Sequence, residues 1–365
     1  MRISSTLSLY LARQLLIGIA VAFFTLAFLI FLIDLVEVGR RTAGRDDVTL
    51  GITIRMALLH LPYLAQRVVP YAIMLGSMLS LARASRNGEL IVAWASGIST
   101  WQVLIPSVAV ALLIGTVVMT AFNPFAAALL GRYELLDGKY LRDHVANLAV
   151  SSSGGLWLRQ ADGLGASVIH AQRIEPPNLV LKEVIIFRYE SDNRFFERID
   201  AATATLHDGY WHLTDALITA PEKVAERRPS YRFDTELTVS RIQESFASPE
   251  TLSFWEIPAF VKMLERAGFS ALKHRVHWHK VLASPLLFAG MVLIGAVFSL
   301  RMSRFGSTGL LIGAGVLAGF ALYIASDIVL AFGLSGRIPA AMSAWIPAIV
   351  SVLIGSGMML YTRNA

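Results

Sequence analysis

Long apolar stretches without a charged residue constrain the fold of this chain more than any other feature. Residues 14–33, 90–131, 281–300, 305–326 and 338–362 carry no charge, and residues 56–82 are interrupted only by Arg67. A hydrocarbon core of about 30 Å requires roughly 20 apolar residues in a helix. The stretches are continuous rather than alternating, which favours helices over a barrel. The sequence therefore predicts six membrane-spanning helices, at residues 12–35, 55–82, 101–125, 278–300, 307–332 and 339–361.

The composition agrees with an integral membrane protein. Hydrophobic residues make up 55% of the chain and charged residues 16%, against about 25% charged residues in a soluble domain. The first apolar run is longer than the core of a signal peptide, and no small-residue cleavage pattern follows it, so we expect a retained helix. The chain has no cysteine, which excludes disulfides, thiolate nucleophiles and Cys-ligated metals.

A stretch of ordinary soluble composition separates the third span from the fourth. It contains short alternating or β-branched runs at residues 156–159, 167–174, 184–189, 203–207, 210–214 and 231–239, which indicate strands of a sandwich or jelly roll. Asp208 and Gly209 stand between two of these runs and predict a tight hairpin turn. A helix at residues 253–267 is expected to lead the chain back to the membrane.

Six spans place both termini on one side of the membrane and the β domain on the other. Arginines in short segments at the span ends favour cytoplasmic termini by the positive-inside rule: Arg2, Arg13, Arg83, Arg86, Arg301, Arg304 and Arg363. The expected fold is an α-helical membrane protein with six transmembrane helices (3+3) and an inserted all-β, jelly-roll-like periplasmic domain. The expected divisions are residues 1–127, with a short cytoplasmic helix near 84–98, then 128–270 and 271–365.

Basic residues at the opposite ends of the spans depart from this rule and are candidate substrate contacts. They are Arg40, Arg41 and Arg45 after the first span, and Lys273, Arg275 and Lys280 at the fourth. Each one alone is also consistent with snorkelling to the headgroup region. As a set at outer-leaflet depth, they would suit the phosphates of a polyanionic lipid, which arginine binds through paired hydrogen bonds.

Two charged residues inside spans are further candidates. Arg67 stands between Pro62 and Pro70 of the second span, where it either contacts substrate or snorkels outward. Such intramembrane charges usually face a cavity or a partner. Asp327, near the end of the fifth span, either pairs locally or helps to orient a gate.

The segment from Arg83 to Gly97 contains a short amphipathic helix, Glu89 to Ala95, between Gly88 and Gly97. It is either an interfacial turn or a coupling helix that docks into a cytoplasmic motor. In the second case Arg83, Arg86, Glu89 and Leu90 are the candidate contacts. The chain has no G-x-x-x-x-G-K-[ST] motif and no H-E-x-x-H motif, so neither a P-loop nor a zincin site is present. We expect no metal, no nucleic acid and no cofactor bound to this chain.

The whole arrangement resembles the YjgP/YjgQ permease family, the lipopolysaccharide export subunits LptF and LptG. The most specific similarity is Gly88 to Val92 with Ala95 to Gly97, which looks like the family's coupling helix. Further similar segments are Tyr10-Leu11-Ala12-Arg13, Pro70 with Leu75-Gly76, and Trp345-Ile346-Pro347.

The LptG branch is the more similar of the two. Leu35-Val36-Glu37 followed by Arg40-Arg41 looks like its first helix, where basic residues meet lipopolysaccharide phosphates; Tyr323 with Asp327 and Arg337-Ile338-Pro339 look like its fifth span and the following loop. Asp34 departs from the pattern, which has a lysine there, so the phosphate-binding set can differ. Asp34 and Asp327 are the expected gate residues.

The resemblance implies a mechanism and a set of partners. An LptF-like permease would enclose a cavity together with this chain, an LptB-like ATPase dimer would bind ATP below it, and lipopolysaccharide would enter between the first helix of one subunit and the fifth helix of the other. Closure would then expel the lipid through the β domains to an LptC-like protein. The chain itself would be a multi-pass inner-membrane permease subunit and no enzyme. The alternatives are the LptF role, an ATPase-independent lipid transporter or a scaffold, although no clear inverted repeat or paired intramembrane carboxylates favour a secondary transporter.

Overall fold

A computed structural model provides the structure of the protein. It describes residues 5–43, 48–141, 148–150, 156–162, 165–175, 180–190, 194–221, 224–235, 248–266, 270–305 and 308–364. Arg2 and Arg45 therefore lie outside the described residues. Six helical segments of the described chain are long and apolar enough to cross a membrane, which confirms the predicted number and order of spans.

The helices extend beyond the apolar runs that predict them. They are α1 (Ser5–Thr42), α2 (Leu50–Arg86), α3 (Glu89–Ala95), α4 (Thr100–Val117), a π-helical turn (Val118–Phe122), α5 (Asn123–Tyr140), α6 (Ile257–Arg266), α7 (Leu272–Phe305), α8 (Thr308–Leu334) and α9 (Ala340–Asn364). The third span is thus α4, the π turn and α5 together. The chain divides into a helical unit, residues 1–137, 249–258 and 272–365, and a β unit, residues 138–248 and 259–271.

Glycines bring the backbones of the long helices into direct contact. A Cβ atom on Gly76 of α2 would lie 2.5 Å from the backbone nitrogen of Ile19 in α1, and one on Gly115 of α4 would lie 2.4 Å from the Cα of Pro285 in α7. Small residues permit this close approach between helices that share an apolar surrounding. The α1–α2 pair also carries a hydrogen bond of 3.2 Å between the Thr42 and Thr53 hydroxyls.

The contact between α2 and α8 is made by methionine side chains rather than by backbone atoms. Met78 reaches over Gly315, and Met74 reaches over Gly319, so that a Cβ on either glycine would meet a methionine methyl group within 2.5 Å. Methionine is unbranched and adapts its shape to its surroundings. Helix α8 therefore rests on two flexible side chains at this point rather than on backbone.

A turn at Pro249–Thr251 and the residues after it fasten the start of α7 to the third span. The backbone N–H of Phe254 donates to Asn123 Oδ1 over 2.8 Å, and Trp255 Nε1 donates to the carbonyl of Thr120 over 3.2 Å. Thr120 lies in the π-helical turn. Such turns disturb the regular pairing of helix carbonyls, and here the indole supplies a donor. The Phe254 ring stacks on Trp278 of α7.

The β unit contains a single antiparallel sheet in the order β1 to β7. Its strands are β1 (Leu148–Val150), β2 (Leu156–Asp162), β3 (Gly165–Glu175), β4 (Val180–Glu190), β5 (Phe195–His207), β6 (Tyr210–Thr219) and β7 (Glu226–Asp234). The all-β prediction is confirmed, and hydrogen-bonded neighbours among the described strands are also neighbours in sequence, as in a meander. The predicted hairpin is present, with His207 opposite Tyr210 and Gly209 at φ +84°.

The alternation of buried and exposed residues is interrupted at the same level in strands β4, β5 and β6, and we name this level the crease. Buried residues are two apart along most of each strand, but three apart at Leu181 and Val184, at Ala201 and Ala204, and at Leu213 and Ala216. Glu183 and Asp215 have positive φ angles there, 54° and 55°. The strands keep a constant register across the crease, so each contains one residue more than strict alternation allows, opposite an extra residue of its neighbour. A β-bulge, which places two residues opposite one, would have changed the register.

The apolar side chains on both sides of the crease form one core. Trp211 is its largest buried side chain, and Leu264 of the amphipathic helix α6 packs into it. The opposite face of the sheet carries a depression of ≈ 520 Å³ along the crease, lined by Gln172, Glu183 and Asp215, among others. The Arg227 guanidinium binds the Asp215 carboxylate at 2.6 Å and holds the pKa of that carboxyl below its ordinary value.

Candidate functional site

One end of the helical unit brings together the ends of several helices. Leu11 of α1, Ala84 of α2, Leu90 of α3 and Val103 of α4 form a common apolar cluster, and Leu300 of α7 packs against it. This basal cluster gives a fixed level from which the depth of each charged residue can be measured along its helix.

Measured from the basal end, the candidate cations lie at two depths. At 1.5 Å per residue, Arg67 lies roughly 24 Å from Arg83, and Lys280 roughly 30 Å from Leu300. We name these two residues the proximal tier. On the same scale of 1.5 Å per residue, Arg40 lies roughly 40 Å from Arg13, and Lys273 and Arg275 lie at a similar distance from Leu300. These, with Arg41, are the distal tier, and all four side chains are exposed.

Both arginines of the distal tier contact carboxylates. Glu37 bonds to Arg40 at 2.9 Å and approaches Arg41 at 3.3 Å, and Arg41 also approaches the buried Asp137 of α5 at 3.7 Å. The Glu37 contacts are one helical turn apart, the spacing at which opposite charges attract on a helix surface. The Asp137 contact joins the end of α1 to the third span.

Asp34 points into the helical unit rather than out of it. Its carboxylate hydrogen-bonds His60 Nδ1 of α2 at 2.9 Å, and its side chain is 12% exposed. The His60 ring stacks on Tyr133 of α5, with 4.4 Å between the ring centroids, and faces Tyr63 on its other side. The second carboxylate oxygen of Asp34 is buried and forms no hydrogen bond with the residues that the structure describes. Asp34 therefore connects α1 with α2 and α5, and its role as a gate residue stays a prediction.

The proximal tier has different surroundings. The Arg67 guanidinium lies over the ring of Tyr63, 5.0 Å from its centroid, and both Arg67 and Lys280 are exposed. A cation at the centre of a bilayer costs about 2.5–3.5 kcal/mol, so each of these two charges requires compensation.

Asp327 lies on helix α8. It is exposed, and Tyr323 one turn before it contacts the ring of Tyr71 of α2 edge-on at 6.0 Å. Glu250 of the Pro249–Thr251 turn approaches His277 of α7 at 4.0 Å.

Helix α3 has the bounds that the sequence predicts, Glu89–Ala95, with Gly88 and Gly97 in the left-handed conformation. Glu89 accepts hydrogen bonds from Tyr10 and Asn87 over 3.1 and 3.2 Å. The proposed partner contact at Leu90 needs correction, because this side chain is 2% exposed and belongs to the basal cluster.

The surface that α3 presents instead is apolar. Ile91, Val92 and Trp94 are exposed, and Arg83 and Arg86 at the end of α2 are exposed as well. Beside the helix is a cleft of ≈ 410 Å³, which Tyr10, Glu89 and Val92 help to line. An apolar surface of this kind, bordered by charges, is typical of a contact with another protein.

The sequence did not identify the side chains around Arg40, Arg41 and Asp34. Glu37 could have been found, because it stands three and four residues before the two arginines. Asp137, His60 and Tyr133 gave no local signal, since their partners lie on other helices. In the described part of the chain, no cluster of three or more His, Asp or Glu side chains could hold a metal ion.

These features define a class: a multi-pass membrane protein with an inserted antiparallel β domain, and with cations held at two depths of its helical unit. Comparison with known proteins makes the class specific. Residues 9–363 match the family model described as "Lipopolysaccharide export system permease LptF/LptG".

Curated relatives agree with this match over nearly the full length. The lipopolysaccharide export system permease protein LptG of Escherichia coli K12 is 22% identical over 363 residues, which cover 96% of this chain and 97% of the relative. The protein of that name from Haemophilus influenzae Rd is 20% identical over 362 residues, with the same coverage. The chain belongs to the LptF/LptG family of lipopolysaccharide export permeases, and it is accordingly a transporter subunit rather than an enzyme.

Proposed function

We propose that the chain is the LptG-type transmembrane subunit of a transporter that extracts lipopolysaccharide from the outer leaflet of the inner membrane. The β domain would face the periplasm and receive the lipid on its way to the periplasmic bridge. The relatives described above carry the LptG name, which favours this role over that of the LptF-type partner. The substrate combines acyl chains, which suit apolar helix faces, with phosphates, which suit basic side chains.

The partners follow from the same proposal. An LptF-like permease would cover the exposed apolar faces of α1 and α8, an LptB-like ATPase dimer would bind at the base, and an LptC-like protein would accept the lipid. ATP would be bound by the ATPase chains.

The exposed apolar side of α3 is the observation that carries the coupling to an ATPase. The helix is fixed at its inner side by Leu90 in the basal cluster and by the Tyr10–Glu89 hydrogen bond. Val92 and Trp94 of the same helix are exposed. A short helix that is held rigidly and exposes apolar side chains can transmit a displacement from a partner into α2 and α4, the helices on either side of it.

Co-purification of the tagged chain from its native membrane tests the proposal. We expect a P-loop ATPase, a second six-helix permease and bound lipopolysaccharide in the mass spectra, and the partner's sequence distinguishes the LptG role from the LptF role. Recovery of the chain alone, even after crosslinking, would contradict the proposal and favour an ATPase-independent transporter.

A substitution in α3 tests whether this helix is the docking site of the ATPase. Val92→Asp places a charge on the exposed side and should abolish recovery of the ATPase while the partner permease is still recovered. Val224→Asp is the matched control, because Val224 is a fully exposed valine of the β unit. Equal ATPase recovery with both variants would refute the docking role of α3.

A further inference from the structure

The third span contains a proline at the level where its helix is irregular. Pro124 comes shortly after the π-helical turn (Val118–Phe122), and the backbone N–H of Asn123 donates to the carbonyl of Val118, five residues before it. A regular α-helix would pair the carbonyl of Thr120 with the N–H of residue 124, but proline has no N–H and its ring crowds that carbonyl. Prolines and π turns are common causes of sharp bends in helices. The third span therefore resists bending least at this level.

Two hydrogen bonds from the residues after the Pro249–Thr251 turn reach this level. The backbone N–H of Phe254 donates to Asn123 Oδ1, and both residues are buried. The indole of Trp255 donates to the Thr120 carbonyl, and the Trp255 side chain is exposed. The indole thus supplies a donor where the helix has none. Because the first bond is enclosed by protein and the second lies at the surface, the second can break while the first remains.

The two halves of the third span are fastened to different helices. Before the turn, Gly115 of α4 packs directly against the backbone of α7. After the turn, the Tyr133 ring of α5 stacks on His60 of α2, and Asp137 of α5 approaches Arg41 of α1. A displacement of α1 and α2 relative to α7 would therefore bend the third span between these attachments, at the π-helical turn.

We propose that Pro124 and the π-helical turn form a hinge in the third span, and that the Trp255 indole holds this hinge closed by binding the Thr120 carbonyl. With the indole bound, α5 keeps one direction relative to α4. With the indole released, α5 follows α1 and α2, while Phe254 stays bound to Asn123. The hinge is a property of the chain itself and requires no assumption about the molecule that is transported.

Distances between two spin labels test the hinge in the protein, purified with its partner chains and reconstituted in phosphatidylcholine nanodiscs. The chain has no cysteine, so labels can be attached at Leu135→Cys in α5 and Met342→Cys in α9 once the partner chains are made free of cysteine. Both positions are exposed, and α9 packs on α7, so the second label is a reference for the α7 side. At 1.5 Å per residue, Leu135 lies roughly 16 Å beyond Pro124, and a bend of about 20° moves its label by about 6 Å.

Substitutions at the hinge give distinct expectations. Trp255→Phe keeps a ring and removes the donor, so we expect a second, displaced population and a change of about 3- to 10-fold in the ratio of the two populations. Pro124→Ala restores the N–H that the Thr120 carbonyl lacks, so its distance distribution should stay narrow, with or without Trp255→Phe. Trp157→Phe is the matched control, because Trp157 is an exposed tryptophan of the β unit, and it should leave the distribution unchanged.

Two results would overturn the inference. One is a distribution in Trp255→Phe that equals that of the Trp157→Phe control. The other is a second population that persists when Trp255→Phe is combined with Pro124→Ala, because the indole would then not act by replacing the missing N–H. Size-exclusion profiles and circular dichroism establish that each variant is assembled and helical. If Pro124→Ala does not assemble, the comparison of the two tryptophan variants decides, since both side chains are exposed.

Discussion

The substitution Gly→Ala should have opposite effects at two helical glycines of the membrane-spanning unit. At Gly76, the added Cβ would lie 2.5 Å from the backbone nitrogen and Cα of Ile19, where ordinary contacts are 3.4–4 Å. Backbone atoms cannot turn away as a side chain can, so α1 and α2 must separate by about 1 Å, at a typical overpacking cost of about 1–3 kcal/mol. At Gly357 in α9 nothing lies within 4 Å of the added atom, and alanine should stabilise the helix by up to about 1 kcal/mol.

The two variants therefore differ by roughly 1–4 kcal/mol in the free energy of unfolding, when the two effects are added. Titration of the detergent-solubilised protein with sodium dodecyl sulfate, followed by circular dichroism at 222 nm, gives both values under one condition. A Gly76→Ala variant as stable as Gly357→Ala would show that the α1–α2 contact is looser than the structure has it, and would refute the reasoning.

Two further predictions concern hydrogen-bonded pairs of side chains. His60→Ala leaves the Asp34 carboxylate buried without its partner and should lower the free energy of unfolding by about 2–3 kcal/mol. The double variant with Asp34→Leu should recover part of this loss. A double variant less stable than His60→Ala alone would show that the two side chains are not coupled. In the β unit, Arg227 lowers the pKa of Asp215, so their pairing contributes fully above the unfolded-state pKa of about 4 and is lost as the pH falls through the lowered value. Arg227→Ala should raise the pKa of Asp215, as measured by carboxyl ¹³C NMR of the full chain, and an unchanged value would contradict the assigned cause.

The sequence predicts those features that depend on local signals. The spans follow from the length of charge-free runs, the hairpin from Asp208 and Gly209, and the bounds of α3 from two glycines whose φ angles are positive in the structure. Each of these signals lies within the element that it specifies. They determine the number of spans and the bounds of the short elements, whereas the long helices extend beyond the apolar runs that predict them.

The sequence does not predict contacts between helices, because these depend on which helix faces which. Asp34 and His60 are 26 residues apart and belong to different helices, so neither residue type nor spacing indicates the pair. The same holds for Arg41 and Asp137, which lie on different helices. Leu90 shows the same limit of prediction in a short helix, because the seven residues of α3 do not reveal which of its sides α1, α2 and α4 cover.

The crease in the β sheet restricts how this domain can change in length. Each of the three creased strands has one residue more than alternation requires, at the same level. Deleting that residue from a single strand would invert the side chains of half the strand, because the period of a strand is two. Deleting it from all three would keep the faces matched but remove the bend. Insertions and deletions at this level must therefore occur in neighbouring strands together, whereas the turns between strands can change length one at a time.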